Sequence, residues 1–77
     1  MLTGMQIRAA RGALRWSAET LSLRSGVGVR TIKRMEGFDW IPNCRPALLL
    51  AVMLTFEGFG IEFFGINELK PGLRLAI

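Results

Sequence analysis

SAETLSLRSGVGVRTIKRME, residues 17–36, contains two short amphipathic helical patterns separated by Ser25-Gly26-Val27-Gly28. Ser17 is a strong N-cap, because its oxygen can accept a first-turn N–H that no helical carbonyl reaches. Leu21, Arg24 and Ser25 carry the first helix for about two turns, and Gly26 supplies the positive φ that ends it. From about Gly28 to Glu36 a second helix puts Val29, Ile32 and Met35 on a buried stripe at three-residue spacing, with Val27 plugging the turn. Arg30, Thr31, Lys33 and Arg34 then project outward along two neighbouring rows. A helix that enters the major groove of DNA from such a pair makes few demands on sequence. It needs a small residue where the helices cross, a glycine at the turn and apolar residues that lock the pair. Ser22, Gly26, Leu21, Val27, Ile32 and Met35 meet them.

Upstream, Thr3 with Gln6 three residues later forms a capping box, and Leu2 can staple onto Ile7. The spacing predicts a helix of about three turns with Met5, Ala9 and Gly12-Ala13 on one stripe, flanked by Ile7 and Leu14. Arg8, Arg11 and Arg15 recur at spacings of three and four, which predicts a solvated face. Trp16 precedes the Ser17 cap, as a core aromatic or a staple onto Leu21.

Downstream, Phe38 to Asn43 reads as an irregular loop. A fourth helix is predicted over Arg45 to Phe59, capped by Asn43 or Cys44, with Pro46 tolerated in its first turn. Leu49, Val52, Met53 and Phe56 form its core stripe, while Leu50 and Leu54 point away and suit a subunit contact. Gly58 and Gly60 bracket Phe59 at its end. The period then changes. Ile61 to Phe64 and Leu73 to Ile77 read as two strands, with Pro71-Gly72 as a turn pair between them. A lone two-stranded hairpin is marginal in water and leaves an open edge. A second copy would cover it, so Phe63, Leu73 and Leu75 join Leu50 and Leu54 as candidate dimer contacts.

The composition bounds the rest. Of 77 residues, 51% are hydrophobic, which is ample for a core. A chain this short buries only about 60% of the surface its unfolded form exposes, so help from a partner subunit is expected. The single cysteine, Cys44, rules out a disulfide framework and points to a reducing, cytoplasmic setting. No secretory signal is recognisable at the start, and the longest apolar run, Ala47 to Leu54, is far short of the roughly 20 residues a membrane span needs. The net charge of +4 is lopsided: residues 1–45 carry +5 and residues 46–77 carry −1. A cationic half joined to a neutral apolar half implies a polyanion surface and an assembly surface. With no histidine, no tyrosine and scattered carboxylates, neither enzyme chemistry nor a metal or other cofactor is expected.

At Trp16-Ser17, Leu21, Gly26-Val27, Thr31-Ile32, Met35-Glu36 and Ile41-Pro42 the chain resembles the lambda-repressor/Cro-like helix-turn-helix regulators, often called the xenobiotic-response-element type. Residues 3–59 match that family's helical bundle, and Ile61 to Ile77 lie outside its common core. The resemblance implies a mainly α fold, a four-helix bundle followed by a C-terminal two-stranded β-hairpin. Residues 1–60 would be the DNA-binding domain and 61–77 a dimerisation extension. It further implies that Gly28, Val29, Arg30, Lys33 and Arg34 face the groove, with Arg30 and Arg34 suited to bidentate contact with guanine. Ser17, Arg24, Lys33, Asn43 and Arg45 would hold phosphates, which positions without specifying. The chain departs from the family at Ala18, where glutamine usually anchors a phosphate, at Ser22 for alanine, and at Gly28 for a capping serine. The expected function is sequence-specific binding of double-stranded DNA by a homodimeric bacterial or phage-type transcriptional regulator. The alternative is a protein-interaction module, such as an antitoxin that binds a partner protein.

Overall fold

Four helices precede a two-stranded antiparallel hairpin, in agreement with the change of period at Ile61. The computed structural model describes residues 2–64 and 72–75. Its elements are α1 (Gly4–Leu14), α2 (Ala18–Ser25), α3 (Val29–Glu36), α4 (Pro46–Gly58), β1 (Ile61–Phe64) and β2 (Gly72–Leu75).

The capping box at Thr3 is complete. The Thr3 hydroxyl accepts the Gln6 N–H at 3.1 Å, and Gln6 Oε1 accepts the Thr3 N–H at 2.9 Å. The buried face of α1 differs from the predicted stripe. Gly4, Gln6, Ile7 and Ala10 point inward, whereas Met5, Ala9, Gly12 and Ala13 are exposed. Both stripes satisfy helical spacing. The choice falls to the face that carries Gly4, because the backbone of residues 35–38 passes against it too closely for any side chain.

The cap of α4 also moves. Arg45, not Asn43 or Cys44, is the N-cap, and Pro46 opens the helix at the position where its missing N–H costs nothing. Leu49, Val52 and Phe56 are buried, with Met53 half-buried beside them. These join Leu2, Ile7, Ala10, Ala18, Leu21, Val27, Ile32, Met35 and Ile61 in one core. An aromatic stack runs along its flank. The Trp16 ring lies 5.8 Å from Phe56 and 4.8 Å from Phe59, and Phe56 meets Phe63 at 6.0 Å.

In the hairpin Ile61 lies opposite Leu75, Glu62 opposite Arg74, Phe63 opposite Leu73 and Phe64 opposite Gly72. Alternation therefore puts Ile61, Phe63, Leu73 and Leu75 on one face. Ile61 is fully buried, and Phe63 and Leu73 pack against the helical core. The Gln6 side-chain amide donates to the carbonyls of Phe64 and Gly72, at 3.2 and 2.9 Å, which ties the strands to α1. The bundle thus gives the hairpin a surface to pack on. Pro71 of the predicted turn and Ala76-Ile77 of the predicted second strand lie outside the described residues.

Candidate nucleic-acid interface

The two helices of residues 17–36 are held by local chemistry. Ser17 Oγ accepts the Thr20 N–H at 3.0 Å. Gly26 adopts φ 76°, and its N–H closes α2 onto the Ser22 carbonyl at 2.9 Å. Ser25 Oγ accepts the Val27 N–H at 3.2 Å, which turns the buried Val27 side chain inward. Ile32 and Met35 lock α3 into the core, as their spacing predicts.

Arg30, Lys33 and Arg34 are exposed along one side of α3. Val29 is half-buried against the core, and Thr31, predicted outward, is half-buried too. Lys33 Nζ lies 3.9 Å from Glu19 on α2, an exposed pair worth little in water. Among the described residues no carboxylate comes within ion-pair distance of Arg30, Arg34 or Arg45. Asn43 and Arg45 are exposed at the start of α4.

Arg24 has a different setting. Its guanidinium lies 4.9 Å from the Phe59 ring centre and 5.5 Å from that of Trp16. Arg24 stands about 140° round α2 from Glu19, the residue that reaches Lys33, at 100° per residue. It therefore faces the end of α4 and stands apart from the α3 row. Of the five candidate dimer contacts, Leu50, Leu54 and Leu75 present exposed surface, while Phe63 and Leu73 are turned toward the chain's own core.

Gly28 caps α3 with no side-chain hydrogen bond, at φ −59° and ψ 144°, and a Cβ there meets nothing within 4 Å. Gly28→Ser is therefore expected to raise stability by a few tenths, about 0.3 kcal/mol, by capping a free N–H. Gly26→Ala, forced into the left-handed region, is expected to cost about 1–2 kcal/mol. Thermal melts of the two variants check the opposite signs.

The arginines of α1 are the principal correction. Arg8 and Arg15 are exposed as the spacing predicts, but Arg11 turns partly inward. Arg11 grips Glu36 through Nε and Nη2, each at 2.7 Å, and also donates to the Trp16 carbonyl at 2.9 Å. Arg8 donates to the Glu36 carbonyl and to Asp39 Oδ1, the latter at 3.1 Å. Two α1 cations thus clamp the C-terminal end of α3 and set its orientation. The sequence carried a signal for this: Glu36 falls four residues after Ile32, on the buried side, where a carboxylate requires a cationic partner. The hydrogen bonds that Arg11 donates to the Glu36 carboxylate raise the Arg11 pKa above its ordinary value. Burial pushes the Cys44 thiol up, which makes it less nucleophilic than an ordinary cysteine.

Among the described residues no helix is long and apolar enough to cross a membrane, and no three His, Cys, Asp or Glu side chains gather as a metal site would require. No protein-family model, no curated protein and no solved structure matches the chain.

Proposed function

We propose that the chain binds double-stranded DNA in a sequence-specific manner, with α3 as the recognition helix, and acts as a homodimeric transcriptional regulator. One observation carries this reading. Arg30 and Arg34 stand exposed, with no carboxylate partner among the described residues, on a helix whose other side is locked by Ile32, Met35 and the Arg11–Glu36 clamp. A rigid helix presenting free guanidinium groups is what bidentate reading of guanine requires. Arg45, the N-cap of α4, and Asn43 in the loop before it suit phosphates on the flank. The exposed Leu50 and Leu54 support self-association, which a two-fold-symmetric operator would match. The same leucines are the feature that would serve a partner protein instead.

Selection of bound sites from random duplexes tests the proposal. The wild type should enrich one short motif, and equal affinity for selected and random DNA would reject it. Arg30→Ala or Arg34→Ala should cost about 1–3 kcal/mol on the selected site and relax preference at one base pair. Arg45→Ala should weaken all duplexes alike and reduce the salt slope by about one.

A further inference from the structure

The loop between α3 and α4 is built in an unusual way for a connection. Its backbone is pinned: the Phe38 N–H reaches the Met35 carbonyl at 3.2 Å, and the Trp40 carbonyl accepts the Gly4 N–H at 2.9 Å. Asp39 is held by Arg8 at 3.1 Å, and Pro42 is buried. Three large apolar side chains nevertheless remain outside the core, Phe38 at 38% exposure, Trp40 at 48% and Ile41 at 44%. Fixing a backbone while leaving its apolar side chains in water is unfavourable for an isolated chain, so the patch fits a ligand surface.

The surroundings say which surface. Phe38 lies two residues past the end of α3, the helix that carries Arg30 and Arg34. Arg45 follows the loop, and neither Arg34 nor Arg45 has a carboxylate within ion-pair distance among the described residues. The acid inside the patch, Asp39, is offset by Arg8. Apolar rings between two cations that have no carboxylate at ion-pair distance among the described residues complement a polyanion that also offers apolar sugar faces. A helix with its side chains is about 10–12 Å across and the major groove about 12 Å wide, so residues leaving the end of a groove-bound helix meet the backbone wall.

We infer that the pinned 38–41 loop is an apolar arm of the DNA-binding surface, in which Trp40 packs on the deoxyribose face of the backbone while Arg45 holds a neighbouring phosphate. This inference rests on the DNA-binding reading proposed above. It adds a contact that carries no sequence information, so Trp40 governs affinity on every duplex and leaves base preference unchanged.

Tryptophan emission tests it, because Trp16→Phe leaves Trp40 as the sole indole. In that variant, saturation with mixed-sequence duplex DNA should cut acrylamide quenching several-fold. If Trp16→Phe fails to fold, the difference between wild type and Trp40→Phe supplies the same signal. Trp40→Ala should weaken binding about tenfold on selected and mixed duplexes alike, the scale of a lost aromatic contact to nucleic acid. Trp40→Phe should recover most of that loss. Trp40 as open to acrylamide in the saturated complex as in the free protein would overturn the inference while leaving DNA binding standing. So would protection of Trp40 that depends on protein concentration without DNA, the mark of a second copy or another protein on the patch. Absence of duplex binding by the wild type would reject the underlying reading as well.

Discussion

Gly4→Ala is expected to lower the melting temperature by roughly 12–24 °C, a cost of about 3 kcal/mol. A Cβ at Gly4 would stand 1.9 Å from the Phe38 carbonyl oxygen and 2.4 Å from that of Met35. Both obstacles are backbone, so no rotamer change relieves them, and α1 would have to move off the end of α3. The Gly4 N–H also holds the Trp40 carbonyl. Displacement would therefore free the 38–41 loop together with the clamp on α3. For a domain of this size total stability is about 4–12 kcal/mol, so the variant should lose roughly a quarter to three quarters of it. Circular dichroism melts with urea titrations measure the loss. A variant that melts within a few degrees of wild type would show that α1 and α3 do not cross as closely as described.

Glu36→Ala should cost about 2–4 kcal/mol, since it strands Arg11 in a setting built for a carboxylate. The value sits below that of a fully buried pair because the Arg11 side chain keeps 25% of its exposure, against 9% for Glu36. Arg11→Met removes the same two hydrogen bonds from the other side. The double variant should therefore lose less than the sum of the singles, with a coupling of about 1–3 kcal/mol. Urea midpoints of the four proteins complete the cycle, and additivity within about 0.5 kcal/mol would dismiss the clamp. The pH dependence has a definite sign. A raised arginine pKa contributes stability that is fully present below the unfolded value and is lost only as pH climbs through the folded one, in strong alkali. The Arg11 contribution is thus constant across the physiological range.

The clamp bears on function through geometry. Arg8 and Arg11 are two of the ten cations; Arg11 is held by the buried Glu36, whereas Arg8 stays exposed beside Asp39. Their spacing alone predicts a solvated face for both. The engagement of Arg11 by Glu36 leaves the candidate DNA contacts concentrated on Arg30, Lys33, Arg34 and Arg45. The hairpin has a related lesson for experiment. Ile61 is part of the core and Gln6 binds both strands, so deletion of residues 61–77 would damage the bundle and could not isolate a role in dimerisation. Substitutions at the exposed Leu50, Leu54 and Leu75 address self-association without that damage.

Features written within a few residues of one another were legible in the chain itself. The Thr3–Gln6 box, the Ser17 cap, the left-handed Gly26, the Ile32–Met35 stripe and the switch to alternation at Ile61 each depend on hydrogen bonds or dihedral preferences spanning four residues or fewer. Such signals survive without knowledge of the fold, because their partners are fixed by covalent spacing. Which face of α1 turns inward, the grip of Arg11 on a carboxylate 25 residues away, the stacking of Arg24 on Trp16 and Phe59, and the seating of the hairpin on Gln6 were decided only in the tertiary structure. In each case the local pattern permitted two arrangements of nearly equal merit. The choice was made by close packing, where Gly4 alone could admit the backbone of residues 35–38, and by the need of buried Glu36 for a cation.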